Sequence, residues 1–297
     1  GQTLIALGDG YRPANAEDLF NYQAFTTAIV PLERDSIYTN ASYDFSESVT
    51  GYVELSYLET DADATLAPTP VFTAFEQTEL IVSADSIYNP FGQDLGDVRR
   101  RLIEFPDRRQ RNESETSRFS AVVEGLHADW NWDFAYNWSR SEASETTSNI
   151  VNADLLARAI GPAEGCLGAD EDGCVPVNLT GPEDSIDSEQ VNYIVADGEV
   201  SGYSKLSSGG INFSRALGGL PAGRGDIAFG MEYRRESTSK KPSPLLASAS
   251  TIGATNFEIT SGKRSVTELY LETLLPLWKS DSGLNLEAAV RYSDYSD

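Results

Sequence analysis

A single histidine, His127, serves all 297 residues, and that scarcity removes most nucleophilic enzyme chemistry. Any Ser-His-Asp or Cys-His arrangement would have to use it. It lies in an expected turn of two or three residues, where a solvated side chain is the plain reading, so no enzyme is expected. Cations are scarce too: 22 Lys and Arg face 46 Asp and Glu, for a net charge of −24. So acidic a chain repels nucleic-acid phosphates, and no nucleic-acid partner is expected. No stretch approaches the ~20 consecutive apolar residues of a membrane-spanning helix. That excludes helical membrane proteins but leaves β-barrels open, because their strands alternate. The chain opens Gly1-Gln2-Thr3-Leu4, without the basic start and apolar run of a secretory signal. Either a signal was removed or the chain begins mid-protein.

Other deficits narrow the chemistry further. The glycine cluster from Gly218 to Gly225 lacks the spacing of a phosphate-binding loop and reads as a turn. The acidic run Asp170-Glu171-Asp172-Gly173 lacks the twelve-residue pattern of a calcium loop and reads as solvated. No cofactor and no metal are expected. The two cysteines, Cys166 and Cys174, sit close together in a Gly- and Asp-rich stretch, which suits a small disulfide in an oxidising compartment. Two free thiols or half a metal site are the alternatives.

What the chain does have is aromatic side chains: 4 Trp, 14 Tyr and 12 Phe, too many for a disordered acidic chain. Their placement is periodic. Trp130, Trp132, Phe134, Tyr136 and Trp138 share one parity, while Asn131, Asp133, Ala135, Asn137 and Ser139 share the other. A strand sends alternate side chains to opposite faces, so one face is aromatic and the other small and polar. Trp130 to Trp138 is roughly 26 Å along a strand. At a tilt of ~40° that is about 20 Å of height, close to the ~25 Å apolar band of outer-membrane barrels.

The alternation recurs in seven further segments. Phe229 and Tyr233 alternate with Glu232 and Arg234; Tyr292 alternates with Arg291. The charged residues Asp44, Glu54, Glu124, Asp133, Glu232, Arg234, Glu268, Glu272, Glu287 and Arg291 all fall on the polar parity of their segments. A charge facing lipid costs up to ~2–4 kcal/mol at the bilayer midplane. These ten are therefore expected to line a wet lumen. Trp130, Trp132, Phe134, Tyr136, Trp138, Phe229, Tyr233 and Tyr292 are expected to form a lipid-facing aromatic girdle.

Connection lengths give an independent test. Strands are expected near 36–46, 50–60, 116–126, 130–142, 201–217, 225–237, 262–277 and 283–295. Tight turns fall at Ser46-Glu47-Ser48, at His127-Ala128-Asp129, at Gly218 to Gly223, and at Lys279-Ser280-Asp281-Ser282. Excursions over 61–115, 144–200 and 239–259 separate them, with a short helix expected at Ala153 to Ile160. Short turns alternating with long loops are the habit of bacterial barrels. The expected fold is all-β: an antiparallel transmembrane β-barrel, partial, with about eight strands and long extracellular loops.

Several phrases carry a family resemblance. Tyr88-Asn89-Pro90-Phe91-Gly92 resembles an outer-loop motif of proteobacterial TonB-dependent receptors. Cys174-Val175-Pro176-Val177-Asn178-Leu179-Thr180-Gly181 resembles their C-V-P-L-N-L-F-G segment, with Thr180 in place of the aromatic. Glu268-Leu269-Tyr270 with Pro276-Leu277, and Ala289 to Tyr295, are similar to barrel strands of the same group. Together these span residues 34–297.

The resemblance implies an N-terminal plug inside a barrel of about 22 strands. It also implies uptake of a scarce solute, such as an iron–siderophore complex, cobalamin or an oligosaccharide, with energy relayed by TonB. The implied partners are outer-membrane lipid and lipopolysaccharide, the protein's own plug domain, TonB and a small-molecule ligand. The location implied is the cell outer membrane. The chain departs from the family in showing no plug and no TonB-contacting box, as expected if 1–297 is one barrel fragment cut from the middle. A passive porin and a surface adhesin or binding barrel are the competing classes.

Overall fold

The computed structural model describes residues 3–8, 10–167, 173–278 and 283–296. The expected turn at 279–282 and the acidic run 170–172 lie outside the described residues.

A small hairpin opens the chain, β1 (Leu4–Leu7) with β2 (Gly10–Pro13). The long strands begin with β3 (Leu32–Ser46) and β4 (Val49–Leu66). Two short strands follow, β5 (Pro70–Phe72) and β6 (Arg99–Arg101), then β7 (Arg108–His127) and β8 (Trp130–Asn152). Helices α1 (Ala153–Ile160), α2 (Ala163–Leu167) and α3 (Ser188–Ile194) lead to β9 (Val195–Leu220) and β10 (Gly223–Pro242). Helix α4 (Pro244–Ala247) and β11 (Thr251–Ile252) precede β12 (Thr260–Trp278) and β13 (Leu284–Tyr295). The eight long strands pair in the order β13-β12-β10-β9-β8-β7-β4-β3, every pair antiparallel, with β11 added against β8. Long strands adjacent in sequence are thus adjacent in space. The sheet curves but does not close, so β3 and β13 are its edges.

The turns at one end are tight for identifiable reasons. Between β7 and β8, Ala128 (φ 48°) and Asp129 (φ 65°) are both left-handed. This is the two-residue hairpin form whose twist matches that of the strands it joins. Between β9 and β10 the turn is shorter than expected. Pairing continues to Leu220 and resumes at Gly223, with a register shift between Gly223 and Gly225.

The strands run far past their expected limits at the other end. Strand β8 ends at Asn152 rather than near 142, and β9 begins at Val195 rather than near 201. The three excursions accordingly shrink to 67–107, 153–194 and 243–259. The 23 residues of β8 would span roughly 73 Å, whereas crossing a bilayer takes about 9–11.

The buried core is mostly outside the long strands, which contribute to it only Ile150, Val151, Val200 and Val266 among the described apolar residues. It lies in the excursions, where Val71, Leu80, Leu102, Leu156, Ile160, Val177, Leu179 and Ile194 pack together. Ile252 from the third excursion joins the same cluster, so all three meet at one end. Helix α1 forms where expected. The Asn152 side chain accepts from the Asp154 and Leu155 amides at its start, and Leu156, Ala159 and Ile160 turn inward. No described helix is long and apolar enough to cross a membrane.

Candidate functional site: two opposed faces of one sheet

The register locks the alternation of separate strands into two continuous faces. One row runs Asp44, Thr50, Glu124, Asp133, Asn212, Gly230, Tyr270, Arg291 through seven successive pairings. The row one residue away runs Tyr43, Gly51, Val123, Phe134, Ile211, Met231, Leu269, Tyr292. A slip of one residue in any pairing would exchange the faces of a whole strand. None occurs across this stretch.

All ten charged residues singled out in the sequence fall on the first face. Glu54 lies opposite Asn40 and Ser120, and Glu232 opposite Gly210 and Glu268. Arg234 and Glu272 continue their strands on the same parity, and Glu287 pairs with Leu274. This face is concave and bounds an open cavity of about 1030 Å³, lined by Glu124, Asp133, Glu232, Glu268, Glu272 and Arg291 among others. Its carboxylates are engaged side to side. Glu268 accepts from the Ser293 hydroxyl at 2.6 Å and lies 3.9 Å from Arg291. Arg234 reaches Glu236 at 2.8 Å and Glu232 at 3.7 Å. Glu124 accepts from Tyr52 at 3.0 Å, and Glu54 from Tyr38 at 3.2 Å.

A three-strand chain crosses the cavity floor. The Asn212 amide donates to Asp133 at 2.7 Å, and the Tyr270 hydroxyl donates to the Asn212 carbonyl oxygen at 2.8 Å. Tyr270 can span two strands because Gly230 lies between them; a Cβ there would meet the Tyr270 ring at 2.6 Å. Sequence parity placed Tyr270 on this face but gave no sign of the chain. The readable signal was a glycine on a polar parity, where close backbone or ring approach is one standard cause.

The second face is convex where it carries the aromatics; toward the excursions it bounds a smaller open cavity of about 390 Å³, lined by Glu59, Asp61, Glu113, Glu115, Glu142 and Lys241 among others. Trp132, Tyr136 and Trp138 on β8 continue into Phe213, Phe229, Tyr233 and Leu271 on the strands beside it. Phe213 stacks on Phe229 at 5.3 Å, and Trp130 meets Phe229 edge-on at 5.5 Å. Nothing among the described residues covers this face: Phe134 is 48% exposed, Tyr233 47% and Tyr292 65%. An apolar surface of this extent on a soluble monomer would be anomalous.

The two motifs of the excursions meet each other. The Asn89 side chain donates to the carbonyls of Val82, Ser83 and Gln93, and accepts from the Phe91 amide. The Thr180 hydroxyl donates to the Tyr88 carbonyl, and Gln190 donates to the Tyr88 hydroxyl at 2.9 Å. Tyr11 of the first hairpin closes the junction. Its hydroxyl donates to the Thr180 carbonyl, and its ring lies 4.8 Å from Phe91. Arg100 donates to the Gly181 and Pro182 carbonyls and pairs with Glu104 in a buried contact. Arg108, its charged form disfavoured by burial, donates to the Gly253 carbonyl at 2.6 Å. Cys166 and Cys174 are bonded, with Cα atoms 5.3 Å apart. His127 is an exposed residue at a turn. No group of three or more metal-ligating side chains occurs among the described residues.

Neither a family model nor a curated protein matches the chain. Among solved structures it is similar to FpvA of P. aeruginosa bound to iron and a heterologous pyoverdine. The TM-score is 0.49 at 14% identity, over 89% of this chain and 30% of that one. The chain therefore spans less than a third of that protein, and the antiparallel fold rests on the strand pairing itself.

Proposed function

We propose that this chain is part of the barrel wall of an outer-membrane receptor that takes up a scarce solute with energy relayed through TonB. The observation that carries the reading is the pair of opposed faces. An uncovered aromatic face needs an apolar medium, and a concave face lined by carboxylates needs water or a polar occupant. Lipid outside and a plug with water inside meet both needs. The two free edges, β3 and β13, call for further strands of the same protein to complete the wall. The ordered excursions, all at one end, suit an outer surface that meets the solute. The motif resemblance supports a TonB-coupled receptor over a porin. The solute is a siderophore complex, cobalamin or an oligosaccharide, and no catalysis is assigned to the protein.

The test uses cells making the full-length protein, offered labelled ferric siderophores, cobalamin and oligosaccharides in turn. One of these should be imported only when the protein is present. Collapsing the proton-motive force should leave its surface binding intact and stop its import. Import that survives the collapse would identify a passive pore and overturn the reading.

A further inference from the structure

The arginine-rich stretch from Arg99 to Arg111 divides in two. Arg99 pairs with Asp97, Arg100 with Glu104, Arg109 with Asp63, and Arg111 with Asp61 and Glu113. Arg101 and Arg108 have no carboxylate partner among the described residues. They donate instead to main-chain carbonyls, Arg101 to Pro68 at 2.8 Å and Arg108 to Gly253 at 2.6 Å. The Phe20 ring lies 5.0 Å from the Arg101 guanidinium carbon, and the buried Nε of Arg108 has no hydrogen-bond partner. Burial disfavours the charged form of both, and the nearby Arg101 charge disfavours that of Arg108 further. Two guanidinium groups thus sit together, partly desolvated and without a counter-ion, in a chain with 46 acidic residues. An oxyanion between them supplies the counter-charge, and the planar fork of arginine fits carboxylate and phosphate oxygens.

The charge of the wall around them points the same way. Arg108 has the concave parity of β7, through an unbroken register from Gly125. At its turn end the concave face is acidic: the charged lining of the cavity is Glu47, Glu124, Asp133, Glu232, Glu268 and Glu272 against Arg291. Toward the excursions the sign reverses. Arg34 and Lys240 lie in one concave row with Thr60, Ser114, Ala143 and Gly202, and Arg118 lies two concave rows nearer the turns. Against them stand Glu145 and Glu236, and Glu236 is already held by Arg234 and Arg264. On β4, β7 and β8 the opposite face at this height is acidic, with Glu59, Asp61, Glu113, Glu115 and Glu142. On those strands the reversal is therefore confined to the concave side. For an anion the concave wall attracts near the excursions and repels at the cavity floor, which concentrates it beside Arg101 and Arg108.

Resting on the receptor reading above, we propose that the solute taken up is an anion, whose carboxylate or phosphate oxygens bridge Arg101 and Arg108 at the excursion end of the concave face. This divides the solute classes by charge. Carboxylate-bearing chelates and phosphorylated sugars fit the pair, and unmodified oligosaccharides do not.

The test uses the full-length protein in detergent and two matched pairs of probes. One pair is a ferric chelate with carboxylate donors against one with neutral hydroxamate donors. The other is a phosphorylated oligosaccharide against its unphosphorylated parent. One anionic member should bind at least about tenfold more tightly than its neutral partner, and its affinity should fall as salt rises. R101Q/R108Q should weaken that binding on the order of a hundredfold, from roughly tenfold per charge-assisted contact, and leave the neutral partner's affinity unchanged. R99Q removes a cation of the same stretch that already has Asp97, and should change binding less than about twofold. Protease resistance of the excursions reports whether a variant keeps its cap. Where R108Q disturbs it, R101K decides: it keeps the charge, loses the planar fork, and should bind roughly fivefold more weakly. A neutral member preferred, neither anionic member bound, an R99Q loss as large as the double variant's, or parental affinity in a folded R101Q/R108Q or in R101K would overturn the site. Import separates this site from the receptor reading. Anion binding at these arginines without import driven by the proton-motive force refutes the receptor reading, whereas energised import of a neutral solute refutes the anion site alone.

Discussion

Phe134 and Ala135 are neighbours on β8 that face opposite media, and an arginine at each should have opposite consequences. Phe134 lies midway between Trp130 and Trp138, about 13 Å along the strand from each. It sits in the convex row between Val123 and Ile211. About half its side chain is exposed, so lipid would cover roughly 100 Å² of ring surface. Losing that contact costs about 2.5 kcal/mol, and an arginine near the midplane costs a further ~2–4 kcal/mol. Phe134→Arg should therefore destabilise the membrane-inserted protein by about 5 kcal/mol. Ala135 lines the cavity and is separated from Glu232 only by Gly210. An arginine there gains carboxylate neighbours and should shift stability by less than about 1 kcal/mol. Denaturant unfolding of the full-length protein from phospholipid vesicles, followed by tryptophan fluorescence, measures both. In water the sign at Phe134 would differ, since the substitution removes exposed apolar surface. A Phe134→Arg variant as stable as the parent, or an Ala135→Arg variant that is the worse of the two, would refute the assignment of faces.

Two further perturbations act outside the band. Breaking the Cys166–Cys174 bond with paired serines should cost the 153–194 excursion about 2.5 kcal/mol by loop-closure entropy; protease cuts should appear there while the heat-modifiable barrel persists, and barrel loss would show that the bond acts beyond its loop. The Arg12 hydrogen bond, aided by the Asn15 amide, holds the Asp18 carboxyl down at about 2 from an ordinary 3.8. A depressed acid stabilises above its unfolded value and loses that contribution as pH falls through the folded one, so the Asn15 amide resonance should titrate near pH 2 and stop doing so in Asp18→Asn; a midpoint at 3.8 would refute the link.

The faces were legible in the sequence because the side chains of the two faces differ so sharply. Wherever large apolar and polar residues alternate strictly, as from Trp130 to Trp138 or from Leu284 to Tyr292, the two faces announce themselves. The strand ends were not legible. From Arg140 to Thr146, Ser, Thr and Glu occupy either parity and no period survives, while Ile150, Val151 and Val200 beyond are buried by the excursions, a contact no period reports. The hydrogen-bonded ladder there is invisible to any argument from hydrophobicity. Helix α1 was legible because Asn152 caps an amphipathic run. The docking of the Tyr88-to-Gly92 segment on Thr180 was not, since contacts between residues about 90 positions apart leave no local trace. The lone histidine was legible as an exposed residue at a turn because its context was local, whereas the glycine turn was placed correctly but drawn too long, since pairing continues through Gly218 and Gly219 to Leu220.

The strands run far beyond the aromatic rows, and side-chain contacts there are weak. Arg109 pairs with Asp63 and Arg111 with Asp61 across β7 and β4, but the two arginines are more than half exposed, and such pairs contribute ~0–1 kcal/mol each. A free-standing polar ladder of this kind would fray. It does not end free, however. At the far end the excursions bury Leu102, Leu156, Ile160, Val177 and Ile194 in a common core, and β11 adds to β8 at Val151 and Asn152. The cap thus ties together the tips of strands whose bases carry the aromatic rows. On the reading proposed above, lipid would hold those bases, and the polar middle would be clamped from both ends. The excursions are therefore structural members of the sheet as well as its connections.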